Sequence, residues 1–448
     1  MSAELADILW CELAWLGGER AERGVLIELD GERISSVAAE VASPPPGATS
    51  LPGLTIPGLA NAHSHAFQRA LRGRTQVERG DFWTWRRRMY EVADRIDPDL
   101  YLALARATFG EMALAGITAV GEFHYLHHGP GGTRYEDPNA LGNAVIEAAR
   151  DAGIRITLLD TCYLHGGIGQ EPNGTQLRFS DESAGEWAER VDGLVPGDGA
   201  RPGAAIHSVR AVDPEAAAQV AAFSAERSWP LHAHVSEQPA ENEDCVSAYG
   251  ITPTVLIAQA GALSERFTAV HATHLVDADL EMLGATECGV CLCPTTERDL
   301  ADGVGPARDL AEAGARLSLG TDSNALIDPF EEARAVELDE RLKSGVRGRH
   351  SAAELLRAAT ADGCAAIGWP EAGRIEPQTF ADLVTVGLDG VRLAGTSPDH
   401  AVESLIFAAG AGDVRHVIVG GRFVVRDGAH LDLDVPAELS EAIARLWA

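Results

Sequence analysis

The sequence predicts an α/β protein: a TIM-like (β/α)8 barrel with a small β-sandwich domain assembled from the N- and C-terminal segments. Three observations carry that prediction. From Leu54 onward, eight short apolar runs alternate with long Ala-, Leu- and Glu-rich stretches of helical character. This is the pattern of repeated β-α units, and eight strands close a barrel. Most runs also carry their polar residues at the C-terminal end, where such barrels build active sites. Finally, short β-like pieces with turn signals stand on both sides of this region.

The runs are LTIPGLANAHSH, GITAVGEFHY, IRITLLDTCYL, GAAIHSVRAV, WPLHAHVSE, FTAVHATHL, GVCLCPTTE and ARLSLGTDSN. Helix-like sequence precedes most of them, as in DPDLYLALARATFGEMALA and PNALGNAVIEAARDA. The barrel is expected over residues 56–370, ending after SAAELLRAATADGCAAIG. Residues 1–55 supply the first part of the small domain, with LADILWCELAWLGG and GVLIELDGERISSVA as extended pieces and a DG turn between strands. Residues 371–448 supply the rest: FADLVTVGLDG, VRHVIVGGRFVVRDGAH with its GG turn, and a final amphipathic helix in VPAELSEAIARLWA.

Hydrophobic residues make up 46% and charged residues 23% of the 448, ordinary globular usage that argues against disorder. The formal charge of −31 opposes nucleic acid and anionic membrane as partners, because phosphate contacts need clustered Lys and Arg. An anionic substrate would therefore require arginines concentrated at the site. Seven cysteines in so long a chain do not make a disulfide framework and read as thiols of a reducing cytoplasm. The first residues show no basic leader with a cleavage site, and no segment reaches the eighteen or so apolar residues of a membrane span. A soluble, cytoplasmic protein is expected.

Along a strand alternate side chains share a face, so His63 and His65 of NAHSH point the same way with Cα atoms roughly 7 Å apart. That spacing suits two ligands of one metal. Three other runs end in similar chemistry: His234 with Glu237 in HAHVSEQ, His271 in AVHATH and Asp322 in LGTDSN. Barrel closure brings strands five, six and eight around one mouth. Imidazoles with a carboxylate form an N/O donor set apt for Zn²⁺ with one position open to water. Spacing alone leaves His232 and His234 equivalent, because both face the same side.

This combination resembles the amidohydrolase superfamily, and more narrowly its mononuclear deaminase branch, over nearly the whole chain. The resemblance implies one divalent metal per subunit, zinc by preference, held by His63, His65, His234 and Asp322. It selects His234 over His232 through the family's His-x-x-Glu pattern. It makes Glu237 and His271 the acid/base partners of the bound water, with Asp322 also catalytic, helping His271 hold and polarise the nucleophile. Within the superfamily, NAHSHAFQRAL, DFWTWRRRMY, EFHYLHHG and HSVRAV look like motifs of the N-formimino-L-glutamate iminohydrolase family. That resemblance carries substrate binding to Gln68, Arg86, Tyr125, His207 and Arg210, and implies a homodimer working in histidine breakdown. The substrate would be an anion with two carboxylates and an amidine-like formimino group, so two arginines make independent chemical sense.

Several neighbours have plainer readings. Arg87 and Arg88 suit a solvated helix face. His124, His127 and His128 suit a hydrogen-bonding shelf, and His232 and His274 suit packed positions. In the C-x-x-C-x-C of Cys288, Cys291 and Cys293, the last two read as small buried residues. His165 and Asn324 stay open. Two other functions remain: deamination of an aminoheterocycle of guanine, cytosine or adenosine type, and a non-catalytic barrel that binds a dicarboxylate.

Overall fold

The computed structural model describes residues 7–77, 80 and 82–448; residues 1–6 and Asp81, the first residue of DFWTWRRRMY, lie outside the described residues. Four strands come first: β1 (Ile8–Ala14), β2 (Glu22–Asp30), β3 (Arg33–Ala38) and β4 (Thr49–Pro57). After the single residue Gly58 the chain enters the barrel. Its strands are β5 (Leu59–Ser64), β6 (Ile117–His124), β7 (Arg155–Cys162), β8 (Ala200–Ile206), β9 (Leu231–Val235), β10 (Phe267–His271), β11 (Gly289–Leu292) and β12 (Arg316–Leu319). Seven fall within one of the eight apolar runs, and β8 begins three residues before its run, GAAIHSVRAV, which starts at Gly203. The first run is shared, because Leu54–Pro57 belongs to β4 and only the part from Leu59 to the barrel.

The barrel strands neighbour one another in chain order and pair in parallel. Closure between first and last comes from a parallel bridge of Ser64 with Asp322. Two backbone bonds make it: Asp322 N–H to His63 O and His65 N–H to Asp322 O, both 2.9 Å. The seam is thus tied at residues whose side chains matter below. β5, β6, β7 and β9 are buried at every position, as strands covered on both faces should be. The helix Pro98–Leu114 shows why the intervening stretches are helical: Asp97 caps it by accepting from Leu100 N–H, proline sits in its first turn, and ten of its residues are buried.

The chain returns in β13 (Leu383–Val386), β14 (Val414–Val419), β15 (Arg422–Arg426) and β16 (Ala429–His430). The small domain is built from both terminal segments, as expected, and its strands form one continuous mixed sheet, ordered β16-β15-β14-β13-β4-β1-β2-β3. The reason is β4, which pairs parallel with β1 on one side and antiparallel with β13 on the other. Leu9, Val25 and Ile27 then share one apolar cluster with Leu383, Ile418 and Phe423. At the expected GG turn, Gly420 and Gly421 adopt φ of 55° and 74°, the left-handed pair that a two-residue hairpin requires. The final helix, Val435–Trp447, packs back on the barrel, where Val435 and Leu439 meet Ala107 and Glu438 pairs with Arg106 at 2.8 Å.

One buried ion pair ties the two parts together. Arg155 of β7 donates from Nε and Nη2 to Asp382, just before β13, at 2.7 and 3.1 Å. Asp382 is fully buried and also accepts from Gly420 N–H at 2.7 Å. Removing one partner of such a pair strands the other charge, at a cost of about 3–5 kcal/mol. Asp382→Ala is therefore expected to lower the thermal unfolding midpoint clearly, and a wild-type midpoint would show the pair to be dispensable.

No helix among the described residues is long and apolar enough to cross a membrane. All seven cysteines are unpaired and buried. Burial pushes the Cys293 thiol well up, so it behaves as an inert packed group.

Candidate active site

Period-two alternation along β5 sends Asn61, His63 and then His65 to one side, and each has a different task. Asn61 fastens the barrel seam, donating to Thr321 Oγ1 at 2.7 Å and accepting Thr321 N–H at 2.9 Å. His63 Nε2 lies 3.2 Å from Asp322 Oδ1, and His65 Nε2 lies 3.3 Å from the same oxygen. From β9, His234 Nε2 comes within 3.2 Å of His63 Nε2. His271 ends β10, its ring centroid 5.6 Å from that of His234 and nearly parallel to it.

His63, His234, His271 and Asp322 offer ligand atoms that all lie within 4.8 Å of one another. This group takes His271, expected as an acid/base residue, and omits His65, expected as a ligand. His65 is nevertheless held on the same carboxylate oxygen.

The tautomers of two rings are set from behind. His65 Nδ1–H donates to the Phe123 carbonyl at 2.9 Å, and His234 Nδ1–H to the His207 carbonyl at 2.8 Å. Both Nε2 atoms are left with their lone pairs turned to the centre. Burial pushes the His63 imidazole down to about 3, lowers His65, and lowers His234 well below its usual value, so all three are neutral at physiological pH. Burial alone would raise Asp322, but its hydrogen bond with His63 and the surrounding imidazoles hold it well below the carboxylate range. Three neutral imidazoles and a carboxylate are the protonation states a divalent cation requires, so the residues present fit a metal. Asp322 and His271 both sit at positive φ, 44° and 67°, an outlier for residues with a Cβ and typical of functional strand ends.

Glu237 faces this centre two residues beyond β9. Its Oε1 is 3.8 Å from His271 Nε2, and its Oε2 is 3.3 Å from Arg210 Nη2. On the other side His271 Nδ1–H donates to Glu297 Oε1 at 3.3 Å. Burial would lower His271, yet Glu237, Glu297 and Asp322 together hold it well above its usual value.

The centre opens into a cavity of about 530 Å³ lined by His65, His234, Glu237, His271 and Asp322, and also by Gln68, Arg86, Tyr125, His207 and Arg210. Gln68 donates to the Tyr125 hydroxyl at 2.9 Å and leaves its buried Oε1 without a partner. Arg86, on the helix Phe82–Ala93, turns inward and donates to the Tyr90 hydroxyl at 2.6 Å, whereas Arg87 and Arg88 are exposed. His207 packs edge-on against Tyr163 at 4.6 Å. Arg210 is flanked by Glu237 and by Glu241, the latter 3.3 Å away. That compensation was invisible in the motif HSVR, because Glu241 comes from the next helix, Pro239–Tyr249.

The open residues also find places. Asn324 is fully buried and braces the seam, donating to Ser64 Oγ at 3.2 Å and the His65 carbonyl at 3.0 Å. His232 donates to the Ala366 carbonyl at 2.9 Å, and His165, at the cavity wall, pairs with Asp213 at 3.0 Å. His124, His127 and Asp160 form another close trio. Both Asp160 oxygens are already taken by Arg190 at 2.8 Å, so this is a neutralised ion network and not a cation site. Tyr90, Tyr163, Glu241 and Glu297 were not singled out from the sequence. Tyr163, in the third run just past β7, and Glu297, at the end of the seventh, sat where strand-end logic could have found them.

Comparison with known proteins agrees with this geometry. The chain is 37% identical over 397 residues to the formimidoylglutamate deiminase of Pseudomonas aeruginosa, covering 86% of this chain and 87% of that protein. It is 30% identical over 393 residues to the 5-methylthioadenosine/S-adenosylhomocysteine deaminase of Natronomonas pharaonis, covering 87% and 85%. Among solved structures, an amidohydrolase from Brucella melitensis superposes with a TM-score of 0.91 at 32% identity, covering 98% of this chain and all of that one. Residues 54–424, the barrel with β13 to β15, match the amidohydrolase family as a whole, and the chain belongs to that family.

Proposed function

We propose that this protein hydrolyses the formimino group of N-formimino-L-glutamate, giving N-formyl-L-glutamate and ammonia. The observation that supports this most is the presence of two guanidinium groups, Arg86 and Arg210, in the cavity that holds the histidine–aspartate centre. A flat, uncharged base carries no charge to pair with two guanidinium groups, whereas a dicarboxylate carries two. The likeness to the Pseudomonas aeruginosa deiminase points the same way.

In this reading His63, His65, His234 and Asp322 hold one divalent ion, zinc by donor type. A bound divalent ion supplies acidity, lowering the pKa of water from 15.7 to about 7. The remaining steps belong to the side chains. Glu237 takes a proton from the attacking water and passes it to the imino nitrogen as oxygen adds to the formimino carbon. Glu237 then takes the second proton from the hydroxyl of the tetrahedral adduct and gives it to the same nitrogen, so that the C–N bond breaks, ammonia leaves and the formyl C=O forms. His271, held by Glu297, orients and polarises the nucleophile with Asp322. Gln68, Tyr125, His207 and the two arginines hold the glutamate part. The same reading carries a homodimer acting in cytoplasmic histidine breakdown, which light scattering and the phenotype of a deletion strain would check.

The direct test is ammonia release by the purified, metal-loaded protein from N-formimino-L-glutamate beside guanine, cytosine and adenosine. Release from the first is expected. Activity on a base alone would overturn the reading in favour of an aminoheterocycle deaminase.

A further inference from the structure

The two arginines of the cavity stand in different surroundings. Arg210 already has two carboxylates beside it, Glu237 and Glu241. Arg86 has no carboxylate in ion-pair range among the described residues. Its Nε–H goes to the phenol oxygen of Tyr90, four residues further along the same helix. The outer part of its guanidinium therefore stands on the cavity wall with no carboxylate beside it among the described residues.

Tyr90 is one of two phenols on that wall. Tyr163, one residue beyond β7, is buried, lines the same cavity and, like Tyr90, packs against Phe179, with ring centroids 5.4 and 5.9 Å from it. Behind it stands Gln176. The Oε1 of Gln176 accepts Asn173 N–H at 3.3 Å, which fixes the amide so that Nε2 donates to Tyr163 Oη at 2.8 Å and to the Gly166 carbonyl at 3.1 Å. The loop can close this tightly because residue 166 is glycine. A Cβ there would stand 2.7 Å from the Glu171 carbonyl oxygen and 2.9 Å from Gln176 Oε1.

The proton count follows. Tyr90 Oη accepts from Arg86 and Tyr163 Oη accepts from Gln176, so fixed N–H donors occupy an acceptor position on each phenol oxygen. Each phenol has one proton to give. Neither phenol donates a hydrogen bond to another of the described residues, where each only accepts, so an O–H is left to give to a ligand. A wall with such a guanidinium and a spare O–H, both donors, is built for an anion.

We propose that Arg86, Tyr90 and Tyr163 form a carboxylate subsite, oriented from behind by Gln176, in which Tyr163 is a specificity-determining donor for the side-chain carboxylate of the substrate, the one farther from the formimino group, while Arg210, beside Glu237, is left to the α-carboxylate. This rests on the reading of the substrate as a dicarboxylate. It goes further by saying where one of those carboxylates docks.

The test uses Tyr163→Phe in the metal-loaded enzyme. The ring keeps its packing against His207 at 4.6 Å and Phe179 at 5.4 Å, and only the hydroxyl is lost. A hydrogen bond to a charged group is worth enough that KM for N-formimino-L-glutamate should rise about tenfold or more. The loss should fall on KM rather than kcat, and should shrink to about twofold for N-formiminoglycine, which has a single carboxylate. An unchanged KM, or an equal penalty on both substrates, would overturn the subsite.

If the wild type releases no ammonia from formiminoglutamate, the reaction reading fails and glutarate decides the subsite separately. Protection of the wild type against thermal unfolding by glutarate, weakened in Tyr163→Phe, upholds it. No protection, or equal protection of both proteins, overturns it.

Discussion

Glu237→Gln is expected to reduce turnover by about 10²- to 10⁴-fold, the usual contribution of a general acid/base group, while metal content stays that of the wild type. Glu237 does not belong to the close donor group around Asp322. It reaches toward the cavity from the loop after β9, with His271 on one side and Arg210 on the other. Glutamine preserves volume and can still meet Arg210 through its carbonyl, so the fold and the cavity should be unchanged. What it loses is the capacity to accept and return a proton. Steady-state kinetics with metal analysis of the same preparation checks this. Undiminished turnover in a metal-replete Glu237→Gln sample would remove Glu237 from the mechanism even though the family assignment stands.

Asp322→Asn should weaken metal binding by at least about 100-fold, the upper range seen when even an outer partner of a ligand is lost, and should abolish turnover with it. Its Oδ1 is the atom that both His63 and His65 approach. An amide brings no negative charge, and its NH₂ cannot act as a ligand. The barrel itself should stay closed, because Asp322 ties the seam through its backbone N–H and carbonyl and not through its side chain. A circular dichroism spectrum like that of the wild type, beside a metal content near zero, is the expected pair of results. Chelation of the wild-type protein should likewise stop ammonia release, with zinc restoring it. Turnover that survives chelation would mean the histidine–aspartate centre is structural.

Much of this architecture was legible along the chain. The eight apolar runs are eight parallel strands, because strands buried on both faces must be nearly all apolar and strands joined by helices must run parallel. The polar ends of those runs gather at one cavity, because every β-α unit presents its strand end to the same mouth. Long-range pairing in the small domain was less legible. That β4 would join both termini into one sheet depends on the antiparallel pairing of Leu54–Pro57 with Leu383–Val386, segments far apart in sequence.

The site divides along the same line. By itself the sequence determined which side chains face the barrel interior and at which strand ends, since alternation along a strand is a local property of the backbone. It could not separate His232 from His234, which share a face. The tertiary structure does so by depth: His234 reaches His63 in the mouth, while His232, one layer down, turns to the Ala366 carbonyl.

Nor could local sequence reveal that Arg210 is compensated by Glu241 while Arg86 has no carboxylate partner among the described residues, or that Tyr90 and Tyr163 line one cavity. Those facts depend on distances between elements and on burial. Only closure of the barrel and packing of the loops over it set distance and burial, and with them the protonation and free charge of each group.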